Sequence, residues 1–153
     1  MPSDTPQATV RLGGQPIHAM LTPVPIICFV GTLCSDLVYW KTANMMWADL
    51  SAWLLAVGLV VSALVALAGV VDFFGDRRIR ALGSAWVHGL GNGLALVLSI
   101  FNAFVHSRDA WTSVVPTGLV LSTLVVLILL VTTWLGRGLV FRHGVGVRLE
   151  DRR

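Results

Sequence analysis

The stretch SAWVHGLGNGLALVLSIFNAFVH, residues 84–106, decides the fold. Its polar side chains recur every three or four residues, and the small Ala95 fills the one gap. This is the spacing of a single face of an α-helix, formed here by Ser84, His88, Asn92, Ser99, Asn102 and His106. Hydroxyl, amide and imidazole groups need hydrogen-bond partners that lipid does not offer. The stripe must therefore face the inside of a bundle whose walls are the other apolar segments.

The composition places that bundle in a membrane. Of the 153 residues, 56% are hydrophobic and 12% are charged, with a mean hydropathy of +0.79. Soluble domains carry about 25% charged residues. The apolar residues stand in long blocks, which predicts one polytopic membrane domain without a second folded domain. The net charge of +3 comes with arginines beside those blocks, and no basic-aromatic surface typical of nucleic-acid binding accompanies them.

Four apolar blocks are long enough to cross a hydrocarbon core of about 30 Å as helices. The predicted fold is all-α, a four-helix transmembrane bundle over residues 16–141, with helices at about 23–40, 50–74, 81–105 and 114–138. Residues 1–15 are expected to form a flexible tail and residues 142–153 a basic tail. No internal repeat of 20–50 residues is recognisable in the sequence.

The placement of the arginines predicts the orientation of the bundle. With four crossings, the N-terminus, the second loop and the C-terminus lie on one side of the membrane, and that side holds nine arginines. The other side holds only Lys41 and Arg108 as basic residues. By the positive-inside rule, both termini are expected in the cytoplasm of a bacterium, with the bundle in its inner membrane.

Four groups at the predicted cytoplasmic end are candidates for binding haem b or a metal ion. They are His18, Asp72, His88 and His143, of which His88 alone lies well inside the hydrocarbon. Neutral imidazole is the usual ligand, and a carboxylate commonly orients it. The site would use His88 with His18 or His143 as ligands and Asp72 as the orienting group. No other helix carries a histidine within its span, so the second ligand would have to come from a loop.

A second hypothesis is a proton or ion relay along the stripe from His88 to His106. Asp36 and Asp72 would lie at its two ends, since ionisable groups inside membranes often mark such paths. The centre of the stripe, at Ala95 and Ser99, offers few polar groups for a relay without water.

The third hypothesis, which the rarity of buried charge in membranes favours, is structural. His88, Asn92 and Asn102 would bond across helices, and each such bond contributes about 0.6–2 kcal/mol. Asp36 would then pair with Asn102, and Asp72 would cap its helix or pair with arginines of the following loop.

Two of the histidines, His106 and His143, are expected to be solvated at the membrane interfaces. No enzymatic motif is present: GLGNG, residues 89–93, follows no strand and lies in an apolar helix. Neither GxSxG nor HExxH occurs. We therefore expect no catalytic residues.

The order of these features resembles that of one bacterial family. A histidine and then PVP open the first helix (His18, residues 23–25), WVHGLGN (residues 86–92) lies in the third, and WLGRGLVFRHGVGV (residues 134–147) closes the last. The pattern covers about residues 16–147 and resembles the uncharacterised four-helix predicted-membrane-protein family known as domain of unknown function twenty-two thirty-one. Members usually have His-Pro where this chain has His18 followed by Ala19.

The resemblance implies a respiratory or redox setting, because members are sometimes fused to Rieske or cytochrome c-type modules. We therefore expect a non-enzymatic membrane protein that is an accessory or structural subunit. Its expected partners are the lipid bilayer and either a redox membrane complex or further copies of itself. The alternatives are a membrane electron carrier that binds haem b or a metal and a relay through the polar stripe.

Overall fold

Four long helices build the protein, in a computed structural model that describes residues 5–6, 8–108 and 114–147. The elements in chain order are the short strands β1 (Arg11–Leu12) and β2 (Gln15–Pro16), then α1 (Ile17–Leu21), α2 (Pro23–Thr42), α3 (Met45–Gly75), α4 (Arg77–Arg80), α5 (Gly83–His106) and α6 (Leu119–His143). The segment Val114–Gly118, kinked at Val115 with a non-helical φ of −120° and ψ of 127°, leads into α6.

Local residue chemistry sets the helix ends. Pro23 begins α2, where its fixed φ suits the first helical turn and its missing N–H costs nothing. Ala43 adopts a left-handed φ of 51° and ends that helix. The Asn44 side chain then accepts a hydrogen bond from the backbone N–H of Met46 at 3.1 Å and caps α3. Gly144, with a φ of 65°, ends α6.

The predicted four-helix transmembrane fold is confirmed. Four helical segments are long and apolar enough to cross a membrane, namely Ile17–Thr42, Met45–Gly75, Gly83–His106 and Val114–His143. The second helix begins five residues before its predicted start because Asn44 caps it there. The last continues five residues past its predicted end to the next glycine that can adopt a left-handed φ.

The helices form a ring in which each one has two packing neighbours. Helix α2 packs against α3 and α6, and α5 packs against α6 and α3, so α2 and α5 lie on one diagonal. An apolar layer crosses the middle of the bundle and consists of Phe29, Leu55, Ala95, Val125 and Leu129. We call the end that carries the two termini the terminal end and the opposite one the loop end.

The two helical hairpins repeat one another. Buried positions of α5 follow those of α2 at a spacing of 70 residues, in the pairs Pro25 and Ala95, Phe29 and Ser99, Thr32 and Asn102, and Asp36 and His106. Buried positions from Gly118 onward follow those of α3 at a spacing of 67, in the pairs Ser51 and Gly118, Leu55 and Ser122, Gly58 and Val125, and Val65 and Thr132. The ring of neighbours has the same symmetry, which indicates an approximate two-fold axis along the bundle.

The N-terminal segment, expected to be a flexible tail, is fixed to the terminal end in its described part. The Asp72 carboxylate accepts hydrogen bonds from the backbone N–H groups of Thr9 at 2.6 Å and Val10 at 3.0 Å. Strands β1 and β2 form a small antiparallel hairpin. The carbonyl of Pro6 accepts the N–H of Gly146 at 2.9 Å, which joins the two ends of the chain. Residues 148–153 of the predicted basic tail lie outside the described residues.

Candidate functional site

Two histidines face each other at the terminal end of the bundle. His18 lies on α1 and His88 on α5, and the centroids of their rings are 6.1 Å apart with an angle of 75° between the ring planes. They are separated by 70 positions, the repeat spacing of the two hairpins, so equivalent residues meet near the two-fold axis. We call these two residues the histidine pair.

Backbone carbonyls fix the tautomer of both rings. His18 Nδ1 lies 3.0 Å from the carbonyl oxygen of Val65 on α3. His88 Nδ1 lies 2.8 Å from the carbonyl oxygen of Thr132 on α6. Because a carbonyl oxygen only accepts, Nδ1 is the donor in both cases, and in the neutral ring Nε2 then carries a free lone pair. Imidazoles that bind metals are commonly held in this way through their other nitrogen.

A glycine makes each of these close contacts with a neighbouring helix possible. A Cβ atom on Gly69 would lie 2.9 Å from Nδ1 of His18, and one on Gly136 would lie 2.9 Å from Cε1 of His88. Each glycine follows by four residues the carbonyl to which its histidine donates, and the two glycines are 67 positions apart. The same arrangement therefore occurs once in each hairpin.

Asn92 contacts the His88 ring without occupying its open nitrogen. The amide nitrogen lies 3.4 Å from both ring nitrogens, and equal distances at this range place it over the ring rather than in its plane. Its short bond, of 2.7 Å, goes to the carbonyl oxygen of His88. Since the Nε2 lone pair lies in the plane of the ring, the Asn92 amide above the ring does not occupy it.

The other two residues of the predicted haem or metal cluster lie apart from the histidine pair. Asp72 is engaged with the N-terminal backbone, and His143 is exposed beside a groove at the end of α6. Within the ranges that the structure covers, no three histidine, cysteine or acidic residues form a group able to hold a metal ion. The groove at the end of α6 and a small cavity beside Ser99 are not lined by His18 or His88.

A second polar site joins all four long helices near the loop end. Asp36 of α2 is 0% exposed, and its Oδ1 lies 3.0 Å from Nε2 of His106 on α5. Ser51 of α3 donates to Oδ1 at 2.6 Å, and Ser122 of α6 donates to Oδ2 at 2.6 Å. Asn102 donates to the Ser122 hydroxyl at 2.8 Å. We call these five residues the Asp36 cluster.

Hydrogen-bond geometry fixes how many protons Asp36 and His106 share. His106 Nδ1 lies 3.0 Å from the carbonyl oxygen of Asn102, so Nδ1 carries a proton. The bond between Nε2 and Oδ1 requires one further proton, whichever group holds it. The pair is therefore imidazolium with carboxylate or imidazole with carboxylic acid, and its net charge is zero in both cases. A neutral pair suits a buried site inside a membrane.

The structure corrects three expectations from the sequence. His106 is 8% exposed instead of solvated, because the ring lies against Gly118, whose Cβ, if present, would be 2.7 Å from Cε1. Asp36 reaches Asn102 only through the Ser122 hydroxyl, not directly. Sequence reasoning missed Ser51 and Ser122, since a single serine in an apolar helix gives no signal of its partner. Asp72 likewise binds backbone amides instead of the predicted arginines.

The apolar layer separates the two polar sites. Ala95, at the centre of the predicted stripe, belongs to that layer, and the Ser99 hydroxyl donates to the Ala95 carbonyl of its own helix at 2.8 Å. The stripe on α5 thus serves two separate sites, with His88 in one and Asn102 and His106 in the other. Among the described residues no chain of polar side chains connects them.

Comparison with known proteins identifies the family. No curated protein and no solved structure matches the chain significantly. A family model described as predicted membrane protein (DUF2231) matches residues 14–149, which include all four spans and both polar sites. The chain therefore belongs to the predicted membrane protein family DUF2231.

Proposed function

We propose that the protein binds one metal ion between His18 and His88. The observation that carries this proposal is the geometry of the histidine pair, whose Nδ1 donors are engaged and whose Nε2 lone pairs are open. An identical pair of neutral imidazoles cannot form a hydrogen bond between two acceptor nitrogens. A group bound between them would have to accept electron pairs from both rings or donate protons to both.

The distance between the rings supports a metal ion in that position. With metal–nitrogen bonds of about 2 Å, two imidazoles on opposite sides of one ion have ring centroids about 6 Å apart. The observed separation is 6.1 Å. The carbonyls of Val65 and Thr132 would hold the ligands in place, as the outer partners of metal-binding histidines do.

The ligands favour a singly charged ion without a porphyrin. Imidazole suits copper, iron, nickel and zinc, but the pair offers no negative charge to offset a divalent ion. Since the cost of burying an ion grows with the square of its charge, copper(I) costs least in this partly buried site. Haem b needs a slot for the macrocycle next to its ligands, and His88 lines neither the groove at the end of α6 nor the small cavity beside Ser99.

A metal at this place agrees with the redox setting that the family resemblance implies. The protein would be a metal-binding subunit of a membrane complex, with the ion at the terminal end. The apolar layer would separate that ion from the Asp36 cluster.

Metal binding is tested on the full chain purified in detergent without chelators. We expect one equivalent of copper(I) per protein, measured by competition with a chromogenic copper(I) chelator. His18→Ala and His88→Ala each remove one of two ligands and should lower the affinity at least tenfold. His143→Ala is the matched control and should leave the affinity unchanged.

Three results would overturn the proposal. The first is a wild-type protein that takes up no stoichiometric copper, zinc, nickel or iron, which would leave the pair bridged by water. The second is an equal loss of affinity in His143→Ala and His88→Ala. The third is a Soret band that disappears in His88→Ala, which would replace the bare ion by haem iron.

A further inference from the structure

A groove with two unpaired arginines lies on the outside of the bundle at the terminal end. It has a volume of about 340 Å³ and runs along the last turns of α6, beside the start of α5. Its lining includes Ser84, Trp134, Arg137, Phe141, Arg142 and His143. The groove is independent of the histidine pair, which contributes no residue to it.

The two arginines have no acidic partner within the described ranges. The ion pairs found there are Arg78 with Asp76 and His106 with Asp36. The Arg137 guanidinium lies 5.4 Å from the centroid of the Phe141 ring, which leaves its hydrogen-bond donors open. Two exposed guanidinium groups that line one groove attract an anion bound there.

The length of the last helical segment places the groove at the depth of lipid headgroups. Helix α6, Leu119–His143, has 25 residues, which corresponds to about 37 Å of helix, whereas the hydrocarbon core is about 30 Å thick. The last turns of α6 therefore reach the polar layer of the bilayer. Trp134, whose side chain is 73% exposed, has the ring type that is enriched at this boundary.

The internal repeat shows that arginines within the last turns of a long helix occur in one hairpin. At the equivalent positions of α3, 67 residues earlier, Val70 replaces Arg137 and Gly75 replaces Arg142. The first hairpin carries its arginines in the following short helix α4 instead, at Arg77, Arg78 and Arg80. Both hairpins are therefore basic at this end, but only α6 brings two arginines to the lining of the groove.

We propose that this groove binds the phosphodiester headgroup of an anionic phospholipid. Arg137 and Arg142 pair with the phosphate oxygens, for which the planar guanidinium is suited. The Ser84 hydroxyl donates a further hydrogen bond. The rings of Trp134 and Phe141 lie against the glycerol and the first acyl carbons. Basic pockets at the ends of membrane helices bind such headgroups in general.

Native mass spectrometry of the full chain in mild detergent tests the proposal, with phosphatidylglycerol and phosphatidylcholine of equal chain length added in competition. We expect wild type to retain phosphatidylglycerol at least tenfold over phosphatidylcholine. The double variant Arg137→Gln/Arg142→Gln should lose that preference. The control Arg77→Gln/Arg78→Gln removes the same charge from the same end and should keep it.

Several outcomes would overturn the proposal. Equal retention of the two lipids by wild type would exclude a specific headgroup site. An equal loss in the control double variant would assign the preference to overall charge. Displacement of phosphatidylglycerol by millimolar inorganic phosphate would make the groove a site for a free anion. Thermal unfolding in lipid-free detergent should be the same for both double variants, because the side chains of the groove arginines are exposed.

Discussion

Equivalent residues of the two hairpins meet at both ends of the bundle, but they interact differently at the two ends. At each end the repeat brings equivalent residues together near the two-fold axis, His18 with His88 and Asp36 with His106. Asp36 and His106 differ in chemistry, so one proton joins them directly. The two histidines are identical, each with an engaged Nδ1 and an open Nε2, so they cannot bond to each other.

This difference separates a structural site from a binding site. Both carboxylate oxygens of Asp36 are hydrogen-bonded, and the cluster takes a side chain from every long helix. Of the buried side-chain oxygen and nitrogen atoms in the described residues, the Asn102 Oδ1 alone has no hydrogen-bond partner. The histidine pair is equally well positioned by its carbonyls and glycines, but within the described residues its Nε2 atoms have only the Asn92 amide nearby, 3.4 Å from that of His88. Careful positioning without an internal partner is what a ligand site requires.

The largest expected effect is at the loop end. Asp36→Ala should lower the free energy of unfolding by about 3–5 kcal/mol, because it leaves His106 and two serine hydroxyls buried without their acceptor. Denaturant unfolding in detergent micelles, followed by circular dichroism, measures this change. Asp49→Ala is the control, since Asp49 is exposed, and it should change stability by less than about 0.5 kcal/mol. Equal losses in the two variants would show that the Asp36 cluster does not stabilise the bundle.

Matched glycine substitutions should affect the two ends differently. A Cβ on Gly118 would lie 2.7 Å from the His106 ring, and one on Gly136 would lie 2.9 Å from the His88 ring. Gly118→Ala should cost about 1–3 kcal/mol of stability, because the His106 ring cannot move away without leaving Asp36. Gly136→Ala should lower copper(I) affinity about 10–100-fold by displacing His88 from the Thr132 carbonyl.

The control for both substitutions is Gly138→Ala, at a position where an added Cβ has no atom within 4 Å. It should leave metal affinity unchanged and raise stability by up to about 1 kcal/mol, since alanine favours the helix. If Gly138→Ala lowered copper affinity as much as Gly136→Ala, the contact with His88 would not be the cause.

The smallest effect is expected for the histidine pair without metal. His88→Ala in metal-free protein should cost only about 1 kcal/mol, the value of its bond to the Thr132 carbonyl. Copper(I) should then raise the unfolding temperature of wild type and not of the variant, because only the folded wild type binds it. A loss in metal-free protein as large as that of Asp36→Ala would make the pair a structural site like the other.

The fold could be predicted from the sequence because length and apolar content determine it almost alone. Four apolar blocks of sufficient length can only be helices in a bilayer, and the three- or four-residue spacing on α5 showed which face points inward. The helix ends are predicted less accurately than the helices themselves, since they depend on single residues such as Asn44 and Gly144.

The partners of the polar groups could not be predicted in the same way. The stripe contained His88, Asn102 and His106, but Ser51 and Ser122 are single hydroxyls in apolar helices, and helical spacing says nothing about the facing helix. Asp72 accepts its hydrogen bonds from backbone N–H groups of the N-terminal segment. Every residue except proline has such a group, so the sequence does not indicate which ones Asp72 binds.

The internal repeat cannot be recognised in the sequence for a related reason. Its period exceeds 50 residues, and most equivalent positions differ in chemistry, as Phe29 and Ser99 or Asp36 and His106 do. Only a few are identical, including His18 with His88 and Gly69 with Gly136. The correspondence is one of burial and contact, and these become visible only when the helices are assembled.

The repeat also makes the two membrane faces of the protein chemically different. Both hairpins cross the membrane in the same sense, since α2 and α5 each run from the terminal end to the loop end. A two-fold axis of this kind stands along the membrane normal and exchanges the hairpins without exchanging the two faces of the bilayer. Repeats of inverted topology would give each compartment a similar surface. Here the histidine pair lies toward one face of the membrane and the buried Asp36 cluster toward the other, so the two halves of the bundle differ in chemistry.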